Sequence, residues 1–360
     1  MFHLTPEHLE FRDLARKYFG EKAAIDPLAE PAEAGAIRRW WRRADEELGL
    51  GGSFLSEEAG GLGLDFGFAA VLLEEAGRIL LDAPLLPVVV ASQALRGVDP
   101  VAAGQVLRPG AAVGVALGGT DWMTAPTPRV DRSGAAPAVT GDLGLVLHGQ
   151  SLDVVLIPAV DAGGEAGVYA VETADPGYLA VPVTGVDLRR EAARVRLEAA
   201  PAVRVPGPGD AAPHLRRVGE VAAIALALEQ VGAGQAALEM AVDYARTRVQ
   251  FGRPIGSFQA IKHRCAEMLI DVERARSAAY HAVGQVVADA DLAEPAALAQ
   301  ATASEALDRI AYENVQVHGG VGFTWEHPAH LYARRATSTR ALLGGPETHR
   351  DRLVTALRQA

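Results

Sequence analysis

The strongest constraint on the fold is one long stretch, His214 to Gln250, which is rich in alanine and contains no proline. Helix formers over this length predict a single long helix. The stretches Phe258 to Ala290, Pro295 to Val317 and His349 to Arg358 are also predicted to be helical. Long helices with short connections are typical of an antiparallel four-helix bundle. We therefore predict a C-terminal helical bundle over residues 210–360.

The two preceding regions differ from the bundle and from each other. Residues 1–105 are predicted to be mainly helical, and Thr5 followed by Pro6 is typical of a helix start. Over residues 106–209, short β-rich runs alternate with glycine and proline, a pattern that favours a small sandwich or barrel. The chain is therefore predicted to be mainly α with a β domain, in the order N-terminal helical domain, middle β domain, helical bundle.

Charge and cysteine content argue against several classes of protein. The 360 residues carry a formal net charge of −11, which disfavours nucleic acid and an anionic membrane surface as partners. Cys265 is the only cysteine, so an intrachain disulfide is excluded, and we predict no metal site. The charged, amphipathic first residues do not resemble a secretion signal, and we expect a cytoplasmic protein.

One segment with chemical character joins the long helix to the next helix. It reads Tyr-Ala-Arg-Thr-Arg-Val-Gln-Phe-Gly-Arg-Pro-Ile-Gly-Ser-Phe-Gln over residues 244–259. Arg248 can form bidentate bonds to a phosphate or a carboxylate, and Phe251 can lie against a planar ring. Gln259 adds an amide near the same corner.

A second segment ends another helix at a double glycine. It reads Gln-Val-His-Gly-Gly-Val-Gly-Phe-Thr-Trp-Glu-His-Pro over residues 316–328. At Gly319 and Gly320 no side chain blocks close approach to the backbone amides. A diphosphate-bearing cofactor suits the two segments together. The alternative is that both are merely helix ends capped by glycine.

Both segments resemble the two signature regions of the C-terminal bundle in acyl-CoA dehydrogenases, and the run Leu48 to Leu64 resembles the N-terminal domain of that family. The resemblance is strong over residues 215–335 and weak in the middle domain, which looks shortened. It implies an FAD cofactor at a subunit interface. Arg248, Phe251 and Gln259 would contact the diphosphate and adenosine side, whereas Gln316, Gly319 and Gly320 would bind the FAD of a neighbouring subunit.

The middle domain departs from this family in the two segments that contact the flavin ring. The corresponding stretches here are Gly118 to Trp122 and Val146 to Gln150, and neither keeps the family's motif. Only Gly149 remains of the second motif. The chain therefore keeps the two bundle segments of the family's FAD site and lacks the two middle-domain motifs that contact the flavin ring.

The catalytic base is a second departure. The family's reaction needs a carboxylate close to the α-carbon of the acyl thioester. At the position that most members use, this chain has Leu343, and at the position that a minority use, it has Ala222. Glu229 is the remaining candidate base, although it can equally be a buried, paired glutamate that holds helices together. Glu220 is a weaker candidate because it lies on another helix face.

These features resemble subunits of the actinobacterial heterotetrameric (α2β2) steroid side-chain acyl-CoA dehydrogenases, which also share the Gly-Phe-Thr-Trp-Glu-His-Pro stretch over residues 322–328. The resemblance implies FAD-dependent α,β-desaturation of a bulky acyl-CoA, together with a second dehydrogenase-like chain. An electron-transfer flavoprotein would then accept the electrons. The alternatives are a self-sufficient dehydrogenase that uses Glu229, a non-catalytic structural subunit, and a flavin-dependent monooxygenase on the same fold.

Overall fold

The computed structural model describes residues 2–117, 127–134, 136–206 and 211–359. The helices are α1 (Pro6–Lys22), α2 (Ala34–Leu48), α3 (Phe66–Arg78), α4 (Leu85–Ala94), α5 (Pro100–Val106), α6 (Ala211–Thr247), α7 (Gln259–Val287), α8 (Ala293–His318), α9 (Ala329–Arg340) and α10 (Pro346–Gln359). The strands are β1 (Val113–Val115), β2 (Arg129–Asp131), β3 (Ala138–Leu147), β4 (Val154–Val160), β5 (Ala166–Glu172), β6 (Tyr178–Pro182), β7 (Ala192–Pro201), β8 (Val203–Val205), β9 (Val249–Gln250) and β10 (Arg253–Pro254).

The N-terminal region is helical, as predicted. Thr5 caps α1 because its hydroxyl accepts a hydrogen bond from the backbone of His8, and Pro6 occupies the first turn. Helix α4 was not predicted. All ten of its residues are buried, so it has apolar side chains on every face and lacks the periodicity that distinguishes a surface helix.

The middle region forms one mixed sheet. Its strand order is β6-β7-β3-β2-β4-β5-β8, with β1 paired to β4. Strands β1 and β2 run parallel to β4, while the other pairs of this sheet are antiparallel. Helix α4 packs between β1 and α6, so the sheet is joined to both helical regions.

The C-terminal region is a bundle centred on α8, which contacts α6, α7, α9 and α10. Helix α6 also crosses α3 closely. A Cβ atom at Gly77 would overlap the backbone oxygen of Glu229, and one at Gly232 would overlap that of Glu74. Glycine at both positions therefore lets the two backbones meet, and α6 becomes shared by the N-terminal region and the bundle.

The prediction of a mainly α chain with a β domain is confirmed. The division at about residues 105 and 209 stays a prediction. Among the described residues, Ala212–Thr247 is long and apolar enough to span a bilayer by length and composition. However, 89% of its most apolar window is buried inside the protein, as expected for the central helix of a packed core.

Candidate active site

A cleft lies where α4, the sheet and α6 meet the connection between α9 and α10. It is narrow, with a cavity volume of about 40 Å³. Its sheet side is lined by Val115, Leu117, Leu145, Val146 and Leu147, and its helical side by Leu86, Pro87, Val90, Ala222, Leu226, Leu342 and Leu343. Every side chain in this lining is apolar. Among the described residues, the cleft therefore has no side chain that can accept or donate a proton.

The two predicted base positions both line this cleft. Ala222 comes from α6, and Leu343 comes from the connection that follows α9. Both are buried, and neither side chain has a titratable group. The structure thus brings together two positions that are far apart in the sequence and leaves hydrocarbon at each of them.

Two stretches of this chain were predicted to correspond to the family's flavin-contacting segments, and this correspondence stays a prediction. Gly118 to Trp122 lies outside the described residues. In the second stretch, Val146 and Leu147 line the cleft, whereas His148 is buried beside Ser151 and Glu191. The end of β3 therefore presents only apolar side chains to the cleft.

Glu229 does not line the cleft. Its carboxylate accepts a hydrogen bond from Nη1 of Arg335 at 2.6 Å and another from Arg190. Arg335 also bonds to Asp187, which makes a buried cluster of two acidic and two basic side chains. Such pairing offsets the cost of removing the charges from water. The geometry favours the structural alternative for Glu229, and its catalytic role stays a prediction.

The charge cluster holds several parts of the fold together. Asp187 and Arg190 belong to the connection between β6 and β7, while Glu229 lies on α6 and Arg335 on α9. Burial opposes ionisation of Asp187, but Arg335 and Arg190 outweigh it and lower the pKa of this carboxyl below its usual range. Asp187 and Arg190 were not predicted as site residues, because a charged run between two strands is typical of an exposed turn.

Glu220 lies on α6 and faces away from the cleft. Burial, followed by the negative charge of Asp291, raises the pKa of its carboxyl to about 7. Asp291 belongs to the connection between α7 and α8. Glu220 therefore titrates near neutral pH, but it does so outside the cleft lining.

The first predicted cofactor segment lies at the exposed end of α6. Arg248 follows the helix, and β9 and β10 pair around a two-residue turn of Phe251 and Gly252. Both turn residues have positive φ, 52° and 76°, as in a type I′ hairpin turn. Phe251 is 92% exposed, and within the described chain Arg248 forms no ion pair. Gln259 opens α7 and is exposed as well.

The second predicted segment lies beside the first. The ring of His318, at the end of α8, stacks on that of Tyr244, near the end of α6, with 4.3 Å between the ring centroids. Gln316, Gly319 and Gly320 are exposed next to this stack. Gly319 has a φ of 62°, which favours glycine, and a Cβ atom at either glycine would meet nothing within 4 Å.

These exposed groups fit the phosphate end of a dinucleotide cofactor. A guanidinium with no ion pair among the described residues, an exposed aromatic ring and two glycines whose backbone no side chain covers lie at one end of the bundle. The N–H of Gly319 itself donates to the carbonyl oxygens of Val315 and Gln316. Large apolar side chains of the same region are also exposed, with Phe323 at 74% and Trp325 at 56%. Exposed apolar side chains that lie close together are typical of surfaces that bind another molecule. The described residues contain no cluster of three or more groups that could hold a metal ion.

Two family profiles match the chain. The profile described as the acyl-CoA dehydrogenase N-terminal domain covers residues 5–99, and the one described as the C-terminal domain covers residues 220–357. The acyl-CoA dehydrogenase IpdE2 of Mycobacterium tuberculosis is 34% identical over 338 residues, which cover 92% of this chain and 90% of that protein.

Two solved structures are similar over nearly their whole length. A variant of the Tcur3481-Tcur3483 steroid acyl-CoA dehydrogenase superposes with a TM-score of 0.86 at 28% identity, over 98% of each chain. The ChsE4-ChsE5 complex from Mycobacterium tuberculosis gives a TM-score of 0.85 at 28% identity, over 100% of this chain and 99% of that one.

Proposed function

Because this chain belongs to the acyl-CoA dehydrogenase family, whose members bind FAD, we propose that it is one subunit of a heteromeric dehydrogenase. The assembly would remove two hydrogens from the α and β carbons of a bulky, steroid-derived acyl-CoA. The second chain would be another member of the same family. An electron-transfer flavoprotein, the acceptor typical of the family, would take the electrons onward, and we place the assembly in the cytoplasm.

The observation that carries this proposal is that the described residues place no proton acceptor in the lining of the cleft. Desaturation requires a carboxylate to take the α-proton while a hydride leaves the β-carbon. The two positions that would supply the carboxylate are Ala222 and Leu343, and both line the same apolar cleft. The carboxylate of Glu229 is engaged by two guanidinium groups outside that lining. We therefore assign the base to the partner chain.

The exposed end of the bundle supports a role in holding FAD. The guanidinium of Arg248 would bind the diphosphate, with Phe251 and Gln259 toward the adenosine side. The backbone at Gly319 and Gly320, with Gln316, would contact the FAD of the neighbouring chain, because no side chain covers the backbone there. When bound, FAD supplies the acceptor for the hydride. This chain's own contribution is to bind and orient the cofactor and to exclude water from the interface.

The similarity to known proteins supports the partner and the substrate class. The ChsE4-ChsE5 structure is a complex of two chains, and the Tcur3481-Tcur3483 protein is a steroid dehydrogenase. Exposed Phe251, Phe323 and Trp325 are the kind of side chains that become buried when such chains associate.

The test is the visible absorption spectrum of the chain expressed alone and then co-expressed with an adjacent dehydrogenase-like gene. We expect a colourless lone chain and a yellow complex with about one FAD per pair of chains. Flavin at one FAD per chain in the lone protein, together with desaturation of an acyl-CoA, would overturn the proposal.

A matched pair of variants locates the cofactor contact. Arg248→Ala should remove most of the flavin from the purified complex, because the phosphates lose a charged partner. Arg246→Ala is the control: Arg246 is equally exposed, two residues away, and pairs with Asp243 at 3.8 Å. Equal flavin loss from both variants would show that the effect is general and not due to Arg248.

A further inference from the structure

We propose that Leu343 is a hydrocarbon plug that fills one end of this chain's own cleft, that His349 holds the plug in place, and that the apolar lining as a whole excludes the flavin ring. The proposal rests on the proposed function only where it concerns FAD. It assigns a structural role to Leu343 and His349, neither of which takes part in the proposed reaction.

The backbone at Leu343 is strained, and a hydrogen bond from His349 holds it in place. Leu343 has a φ of 58°, in the left-handed region that residues with a Cβ atom disfavour, and Gly344 follows with a φ of 96°. Nε2 of His349, in the first turn of α10, donates a hydrogen bond to the Leu343 carbonyl oxygen at 3.0 Å. Both residues are buried: His349 is 1% exposed and Leu343 is 7% exposed. A strained conformation of this kind persists only when its surroundings fix it.

The strained turn directs a leucine side chain into the cleft. Leu343 and its neighbour Leu342 line the cleft together with Ala222 and Leu226 of α6. Because the Ala222 side chain is small, most of the hydrocarbon that these residues place in the cleft comes from the three leucines. The hydrogen bond from His349 therefore fixes the side chain that occupies the position of a catalytic carboxylate.

The lining does not fit a flavin ring. The isoalloxazine ring has nitrogen and oxygen atoms along its edge, and burying them without hydrogen-bond partners is unfavourable. Leu145 and Leu147, at the end of β3, present hydrocarbon where the family's flavin-contacting segment would lie. The described lining thus disagrees with FAD, in contrast to the exposed end of the bundle around Arg248. An FAD held at that end would have to place its ring in the cleft of another chain.

The first test uses N-phenyl-1-naphthylamine, an apolar fluorophore, as the probe with the full-length lone chain. Leu343→Gly suits the left-handed backbone and removes the plug. We expect its affinity for the probe to exceed that of the wild type by about tenfold or more, because the vacated space offers several methylene-sized contacts. Leu238→Ala is the control, since it vacates buried space on α6 outside the cleft lining. It should leave the probe affinity at the wild-type level.

His349 is tested by a pair of variants. His349→Leu removes the donor to the Leu343 carbonyl and should raise the probe affinity toward that of Leu343→Gly. His349→Gln retains an N–H donor of similar reach and should remain close to the wild type. Wild-type affinity equal to that of Leu343→Gly would overturn the plug, and equal effects of Leu and Gln at position 349 would overturn the role of the hydrogen bond.

Flavin content separates this inference from the proposed function. In the complex with its partner, we expect about one FAD per pair of chains, and we expect Leu343→Gly to leave this ratio unchanged because the remaining lining is still apolar. Two FAD per pair in the wild-type complex would overturn the proposal that the cleft excludes the ring. A complex without any flavin would instead contradict the proposed function, and the probe measurements on the lone chain would stand independently.

Discussion

Replacing Glu229 by glutamine is the sharpest test of what this acid does. The substitution keeps the shape of the side chain and removes one negative charge from the buried cluster. Arg335 would retain its ion pair with Asp187, with Asp82 as a further negative charge nearby, and Arg190 would retain the more distant Asp187, whose Oδ2 lies 3.8 Å from Nε. Two guanidinium groups would then share the Asp187 carboxylate in a place with almost no access to water.

The expected cost follows from this loss of charge balance. Breaking a buried ion pair by removing one partner costs about 3–5 kcal/mol, because the remaining charge stays buried without compensation. The amide oxygen of glutamine can still accept one hydrogen bond, and Asp187 remains in place. We therefore expect the free energy of unfolding to fall by about 3 kcal/mol, at the lower end of that range.

The assay is urea unfolding of the lone chain, which needs neither cofactor nor partner. Glu198→Gln is the matched control, because Glu198 pairs with Arg196 at 3.4 Å on the exposed side of β7 and should lose no more than about 1 kcal/mol. Arg335→Met in the Glu229→Gln background should cost less than in the wild type, which measures the coupling between the two residues. An unchanged urea midpoint for Glu229→Gln, with desaturation by the complex abolished, would refute the structural role and identify Glu229 as the base.

Two further predictions concern pH. Burial and Asp291 raise the pKa of Glu220 from 4.5 to about 7. The folded state therefore keeps a proton that the unfolded state loses, and stability falls as pH rises through this window. Glu220→Gln should be more stable than the wild type by on the order of 1–3 kcal/mol at about pH 8, but not at about pH 4.5, in urea unfolding. Burial lowers the pKa of His148 from 6.5 to about 3, with Arg190 and Arg335 adding to the effect. Below about pH 6.5 the imidazole binds a proton in the unfolded state but not in the folded state. The free energy of unfolding therefore falls by about 1.4 kcal/mol for each unit by which the pH is lowered. His148→Asn, which tolerates the φ of 55° at this position, should remove that part of the slope between about pH 6.5 and 4.5; an identical slope in the variant would assign it to other groups.

Long helices were the elements best predicted from the sequence, because their pattern of helix-forming residues is continuous along the chain. Helices α6 and α8 were expected within a few residues of their observed bounds, because helix formers run through them without interruption. Helix α4 could not be predicted in the same way, because burial on all sides removes the periodic contrast between apolar and polar faces. The positions of Ala222 and Leu343 could be identified by their spacing from the signature segments. Their meeting in one cleft depends on packing between distant elements, which spacing alone does not describe.

The ion-pair partner of Glu229 could not be predicted from the sequence for a related reason. Arg335 pairs with acids on α6 and in the β6–β7 connection of this chain. Glu229 and Arg335 are 106 residues apart, so the sequence carries no local signal of their contact. Only the folded structure shows that the two charges compensate each other.

The distribution of carboxylates in this chain follows the availability of partners. An ionised carboxylate at position 343 would face a lining of hydrocarbon, where an unpaired charge is strongly disfavoured and the group would bind a proton instead. Leucine there is stabilised by burial, by about 1.5–3 kcal/mol relative to exposure. The acid that α6 does retain, Glu229, lies where two guanidinium groups meet it. Among the described residues, the cost of desolvation thus explains both why the cleft lining carries no carboxylate and why Glu229 lies in the buried charge cluster. Together they are compatible with a chain that binds and orients a cofactor, while proton transfer takes place in a neighbouring subunit.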